Sequence, residues 1–197
     1  MNIIAVDWGK DARKRSAYRA ELSTRRISRL PFDGSLLHLI ESASSLKPPV
    51  LIGIDAAIGF PDTSWQRLSK TGACQSGNFI DFLLSACLPT DFFDPVAKPE
   101  DWSPEHPFIR PPPGSWSLKA FVEASNGGFY RQIDSRLNGN TIFVTSGIPG
   151  SVGSGTRALW QELIAIGTSS TFRVWPFHGS LGTLLNGETP VIAEMYP

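Results

Sequence analysis

The chain has 197 residues, of which 41 % are hydrophobic and 18 % charged, with 18 basic side chains set against 18 acidic ones. A chain of this length buries enough surface to fold without disulfides or a structural metal, and its composition excludes a disordered or fibrous protein. No apolar run reaches the roughly 18–20 residues of a membrane span, and Asp7 follows an N-terminus with no basic segment, so a cytoplasmic protein without a membrane partner is expected. Two cysteines, Cys74 and Cys87, are too few for a disulfide framework or a four-ligand zinc site. The zero net charge hides an asymmetry. Residues 1–30 hold eight of the basic side chains against Asp7, Asp11 and Glu21, which makes this stretch +5 and the remainder −5. An electropositive face of that kind attracts phosphate backbones or anionic metabolites, although an arginine-rich, solvated hairpin explains the same pattern.

In chain order, residues 2–7 form a short apolar, β-branched run, the pattern of a buried central strand. Residues 15–22 alternate, with Arg15, Ala17, Arg19 and Glu21 on one face and Ser16, Tyr18, Ala20 and Leu22 on the other. A turn at Ser23-Thr24 returns the chain through a third strand over 25–32. Asp33-Gly34-Ser35 opens a helix with an apolar stripe at Leu36, Leu39, Ile40, Ala43 and Leu46, stopped by Pro48-Pro49. Val50–Asp55 is a second buried strand, parallel to an earlier one because a helix connects them. Helical stretches follow near 62–71 and within 77–88. Residues 89–117 hold eight of the 16 prolines and read as a Pro-rich excursion, parts of which pack down through Trp102, Phe108 and Trp116. Residues 118–137 are helical with a break at Asn126-Gly127-Gly128, Thr141–Thr145 is a strand, and 157–166 is a helix with Leu159, Leu163 and Ile166 on one face. Phe172–Trp175 and Val191–Met195 are the last strands.

Two apolar strands end in an aspartate, Asp7 in Ile3-Ile4-Ala5-Val6-Asp7-Trp8-Gly9 and Asp55 in Leu51-Ile52-Gly53-Ile54-Asp55-Ala56. As parallel neighbours they bring both carboxylates to the carboxyl ends of the sheet, where ligands bind in open α/β folds. Two ionised carboxylates so placed call for a cation between them or a proton on one, and hard ions such as Mg²⁺ or Mn²⁺ suit oxygen ligands. Each aspartate alone also fits a turn or helix cap. Glu194, a lone acid in the apolar strand Val191-Ile-Ala-Glu194, is expected in the same cleft. Gly150–Thr156 precedes a helix but lacks the Gly-Lys-Ser/Thr ending of a P-loop, and no Gly-x-Ser-x-Gly elbow or histidine metal spacing is present.

The element order, together with Ala-Val-Asp7-Trp-Gly9, Ile-Gly-Ile-Asp55-Ala-Ala-Ile-Gly59-Phe-Pro61, Phe172-Arg-Val-Trp-Pro-Phe177 and Val-Ile-Ala-Glu194-Met-Tyr-Pro197, resembles a widespread bacterial and archaeal family described as predicted ribonuclease H-like nucleases. The likeness spans nearly the whole chain, 1–197. It implies a single α/β domain of ribonuclease H-like fold: a mixed five-stranded sheet, an antiparallel hairpin plus parallel strands, flanked by helices and carrying the Pro-rich insertion. It also implies a metal-dependent nuclease in which Asp7, Asp55 and Glu194 hold Mg²⁺ or Mn²⁺ and act in catalysis. Lys10, Arg13, Arg15 and Arg131 are the side chains expected to hold a DNA or RNA backbone. Such nucleases carry a further acid on a C-terminal helix, which this chain, ending at Pro197, is expected to lack. That expectation has two corollaries: an exposed apolar patch at Val191, Ile192 and Met195, and a cover for it, either the Pro-rich segment 89–117 or, the favoured outcome, a second copy in a homodimer. Two other readings fit the same residues, an actin-like phosphotransferase lobe and a catalytically inert binding module.

Overall fold

The computed structural model describes residues 1–70, 76–110, 117–145, 152–167 and 171–195. Its elements in chain order are β1 (Asn2–Asp7), β2 (Ser16–Glu21), β3 (Arg26–Arg29), α1 (Leu36–Ser44), β4 (Val50–Ile54), α2 (Asp62–Leu68), α3 (Phe79–Leu83), α4 (Leu118–Ser125), α5 (Gln132–Arg136), α6 (Gly153–Ile166), β5 (Arg173–Val174), α7 (Leu181–Leu185) and β6 (Val191–Glu194). Cys74, Ser115, Trp116, the glycine-serine loop up to Ser151, Tyr196 and Pro197 lie outside the described residues.

The chain forms two compact units, 1–58 with 158–197, and 59–157. The first holds a mixed sheet in the order β3-β2-β1-β4-β6-β5. β1 pairs antiparallel with β2 and parallel with β4, β2 pairs antiparallel with β3, and β6 runs parallel to both β4 and β5. The sheet therefore has six strands rather than the expected five. Arg173–Val174 adds a two-residue parallel edge outside β6.

Alternation decides which face is which. Ile4, Val6, Ala17, Ile52, Ile54, Val174 and Ile192 share one face and are fully buried. α1 packs on β4 with Leu36, Leu39, Ile40 and Ala43 inward, the apolar stripe that its sequence spacing implies. Ser35 caps α1 by accepting the His38 backbone N–H. Gly34, before it, has φ +91°, and a side chain there would overlap the Ala12 carbonyl, so only glycine fits. The opposite face begins with Ile3, Ala5 and Asp7 of β1, none of them buried.

Val191 and Ile192 are both fully buried. The expected apolar patch at the end of the chain is therefore absent, and with it the argument for a homodimer. Of its three residues only Met195 is exposed, and its side chain lies over Gly53.

The second unit is built on aromatic rings. Phe60 stacks on Phe79 with centroids 5.1 Å apart and meets Phe143 edge-on at 5.3 Å. The Pro-rich excursion contributes Phe92, Trp102 and Phe108 to this core, and the Trp102 indole donates to the Pro107 carbonyl at 3.0 Å. Thr141–Thr145 is not a strand. Its backbone makes one parallel bridge, to Ile109, and Ile142 and Phe143 are buried, so the apolar run marks core rather than ladder. α6 begins at Gly153, four residues before the sequence reading; a Cβ at Gly153 would collide with the Val144 backbone. Cys87 is disulfide-bonded.

Candidate metal centre at the carboxyl ends of the central strands

β1 and β4 run side by side in parallel, with Val6 opposite Ile54. The ladder continues one step further, since the Asp55 N–H donates to the Val6 carbonyl at 3.0 Å. Asp7 and Asp55 thus leave neighbouring strands at the same level and on the same, less buried face, with strands about 4.8 Å apart. This is the arrangement expected from the two Asp-terminated strands.

The Asp55 carboxyl is held above its ordinary value of 3.8, first by burial and then by the negative charges of Asp7 and Glu194. A raised carboxyl keeps its proton in the folded chain at pH values where the unfolded chain has lost it, so stability falls as pH rises from 3.8 to the folded value. Below 3.8 both states are protonated and nothing is lost. Asp55→Asn is therefore expected to melt above the wild type at pH 7 in metal-free buffer, with an advantage that shrinks to nothing as pH falls below 3.8. Thermal unfolding across pH 3–8 measures this; a variant no more stable than wild type at pH 7 contradicts it.

Glu194 stands one residue out of step, opposite Ile54 rather than Asp55. Its Oε2 accepts the Ile58 backbone N–H at 2.9 Å, so it ties down the segment that follows Asp55. Nearby, the Trp160 indole donates to the Ala57 carbonyl at 2.9 Å. Among the described residues no group of three or more His, Cys, Asp or Glu is set to hold a metal ion. The donor set consists of two neighbouring aspartates with a third carboxylate in electrostatic reach.

No family model, curated protein or solved structure matches the chain.

The four basic side chains expected to hold substrate separate into distinct environments. Lys10 is exposed in the loop leaving Asp7. Arg13, also exposed, lies on Asp11 in a two-pronged contact at 3.0 Å. Arg15 points inward. Its side chain is 1 % exposed, donating to the Gly9 carbonyl at 2.7 Å, the Gly34 carbonyl at 2.6 Å and Glu162 at 2.5 Å, with the guanidinium 3.5 Å from the Trp8 ring centre. Glu162 also accepts the Leu36 N–H at 2.7 Å, so this one pair fixes the loop after β1, the start of α1 and α6 together. Arg131 belongs to the second unit, where Asp134 takes its side chain and backbone N–H in a buried capping pair. Sequence reasoning missed Glu162. Its one signal is its place three residues after Leu159, at the edge of the apolar stripe of α6.

Proposed function

We propose that the first unit is a metal-dependent phosphodiesterase of ribonuclease H-like architecture acting on nucleic acid. The observation that carries this reading is the side-by-side placement of Asp7 and Asp55 at the carboxyl ends of adjacent parallel strands. The sheet order supports it: an antiparallel hairpin, then the first strand, then parallel strands, with β5 added outside.

The donor set suits Mg²⁺ or Mn²⁺, because Mg²⁺ is commonly held by one or two carboxylates together with substrate phosphate oxygens. Asp7 and Asp55 would hold the ion. When bound, it supplies an activated water and charge stabilisation on the phosphate. Glu194 fixes the Asp55 segment through Ile58, and the exposed Lys10 meets the phosphate backbone beside Asp7. A bound cation would offset the negative charges of Asp7 and Glu194 that help to raise the Asp55 carboxyl. No helix among the described residues is long and apolar enough to cross a membrane. Cytosol is the compartment we propose; the disulfide at Cys87 is the feature that speaks against it.

The test is incubation with labelled single-stranded, hybrid and branched oligonucleotides in Mg²⁺ or Mn²⁺, alongside calorimetry of metal binding. Cleavage that EDTA abolishes is expected. The absence of both cleavage of every substrate and heat of metal binding would overturn the reading.

A further inference from the structure

The sheet face that carries Asp7 and Asp55 continues onto the hairpin. Asp7 pairs with Ser16, Ala5 with Tyr18 and Ile3 with Ala20, and beyond them Tyr18 pairs with Arg29 and Ala20 with Ile27. Directly opposed residues and every second residue along a strand share a face. Ser16, Tyr18, Ala20, Ile27 and Arg29 therefore lie on the side of Asp7, while Ala17 lies on the buried side.

This face is open. Tyr18 is 50 % exposed and Ile27 77 %, and all four residues of β3 are exposed. Arg29 and Tyr18 make no ion pair or side-chain hydrogen bond among the described residues. The neighbouring arginine on the other face, Arg19, is engaged with Asn2 and Glu21. Beside Arg29 a pocket of about 300 Å³ opens at the end of the hairpin, lined from both faces by Arg15, Ser16, Ala17, Leu30, Pro31 and Phe32. Ser16, the register partner of Asp7, is part of its lining. Tyr18 lies two residues along and one strand across from Asp7, a backbone separation of about 8 Å.

We propose that an unpaired nucleic-acid strand lies across this face, with a base stacked on Tyr18 and a phosphate held by Arg29, leading into the Asp7–Asp55 end. The inference rests on the phosphodiesterase reading and names the form of its substrate. A half-exposed tyrosine with a free arginine as its cross-strand partner offers a flat ring and a charge at one place, the pairing by which proteins hold single strands without reading sequence. A base inside a duplex has no free face for the ring. Arg29, exposed on this face, supplies the positive charge that a phosphate meets.

The experiment is fluorescence polarisation of labelled dT12 and rU12, and of a 12-base-pair duplex, in EDTA across a range of salt, so that no cleavage intervenes. Tyr18→Ala is expected to weaken single-strand binding by about five- to a hundredfold, whereas Tyr18→Phe keeps the wild-type affinity. Arg29→Ala is expected to lower the slope of log affinity against log salt by about 0.7. Asp7→Asn should bind at least as tightly as wild type, having lost a charge that repels phosphate. Single-strand binding indifferent to both Tyr18→Ala and Arg29→Ala, or a duplex bound more tightly than either single strand, overturns the proposal. Absence of any oligonucleotide binding also overturns it, and a wild type that nevertheless cleaves nucleic acid would leave the phosphodiesterase reading standing.

Discussion

Replacing Asp7 by Asn is expected to remove the stabilisation conferred by Mg²⁺ or Mn²⁺ and to lower metal-dependent cleavage by at least about a hundredfold. A ligand that binds only the folded chain stabilises it by about 2.7 kcal/mol at a hundredfold excess over Kd. In a chain of this size each kcal/mol moves the melting temperature by roughly 2–4 °C, so the wild type should gain about 5–10 °C on saturation. Asp7→Asn keeps the shape of the side chain and removes half of the anionic pair. Asp7 is exposed, and its charge is one of those that push the Asp55 carboxyl up. Without metal the variant should therefore be as stable as wild type or slightly more so. That combination separates a lost ligand from a damaged fold. Differential scanning calorimetry with and without metal reads it, and an Asp7→Asn chain that still gains several degrees from Mg²⁺ would remove Asp7 from the site.

The aspartate pair could be read from the sequence because each carboxylate ends an apolar, β-branched run, the pattern of a strand buried on both faces. β1 and β4 follow from that signal and the hairpin from its alternation and turn, with boundaries within a few residues. The signal fails where local pattern and tertiary role part. Thr141–Thr145 has the composition of a strand, yet Ile142 and Phe143 fill an aromatic core and the backbone bridges only at Ile109. Short apolar runs carry no period that separates the two outcomes. Arg173–Val174 falls inside the strand expected over Phe172–Trp175, so this edge strand was legible in the residues even though the resemblance implied a five-stranded sheet. The roles of the arginines were the least legible part. Arg13 and Arg15 stand two residues apart in a basic run, yet one is exposed and the other buried on Glu162, which lies 147 residues further along the chain. Nothing local encodes a partner at that distance.

That difference between neighbouring arginines gives the second large effect. Arg15→Met is expected to destabilise the protein by about 3–5 kcal/mol, because it leaves the Gly9 and Gly34 carbonyls without their donor and Glu162 without its cation. The corresponding fall in melting temperature is roughly 6–20 °C. Arg13→Ala, which removes an exposed pair with Asp11, should leave the melting temperature almost unchanged. Arg15→Lys retains the charge but not the fork that reaches three acceptors at once, nor the planar group that lies on Trp8. It should recover only part of the loss. Glu162→Gln separates the two functions of that carboxylate. Its amide oxygen can still accept the Leu36 N–H, so α1 keeps its contact while the charge opposite Arg15 is gone. Its cost should fall between those of Arg13→Ala and Arg15→Met. If thermal unfolding places Arg15→Met level with Arg13→Ala, then Arg15 is not the anchor of the loop beside Asp7, and a direct part in holding substrate becomes the better account of its position.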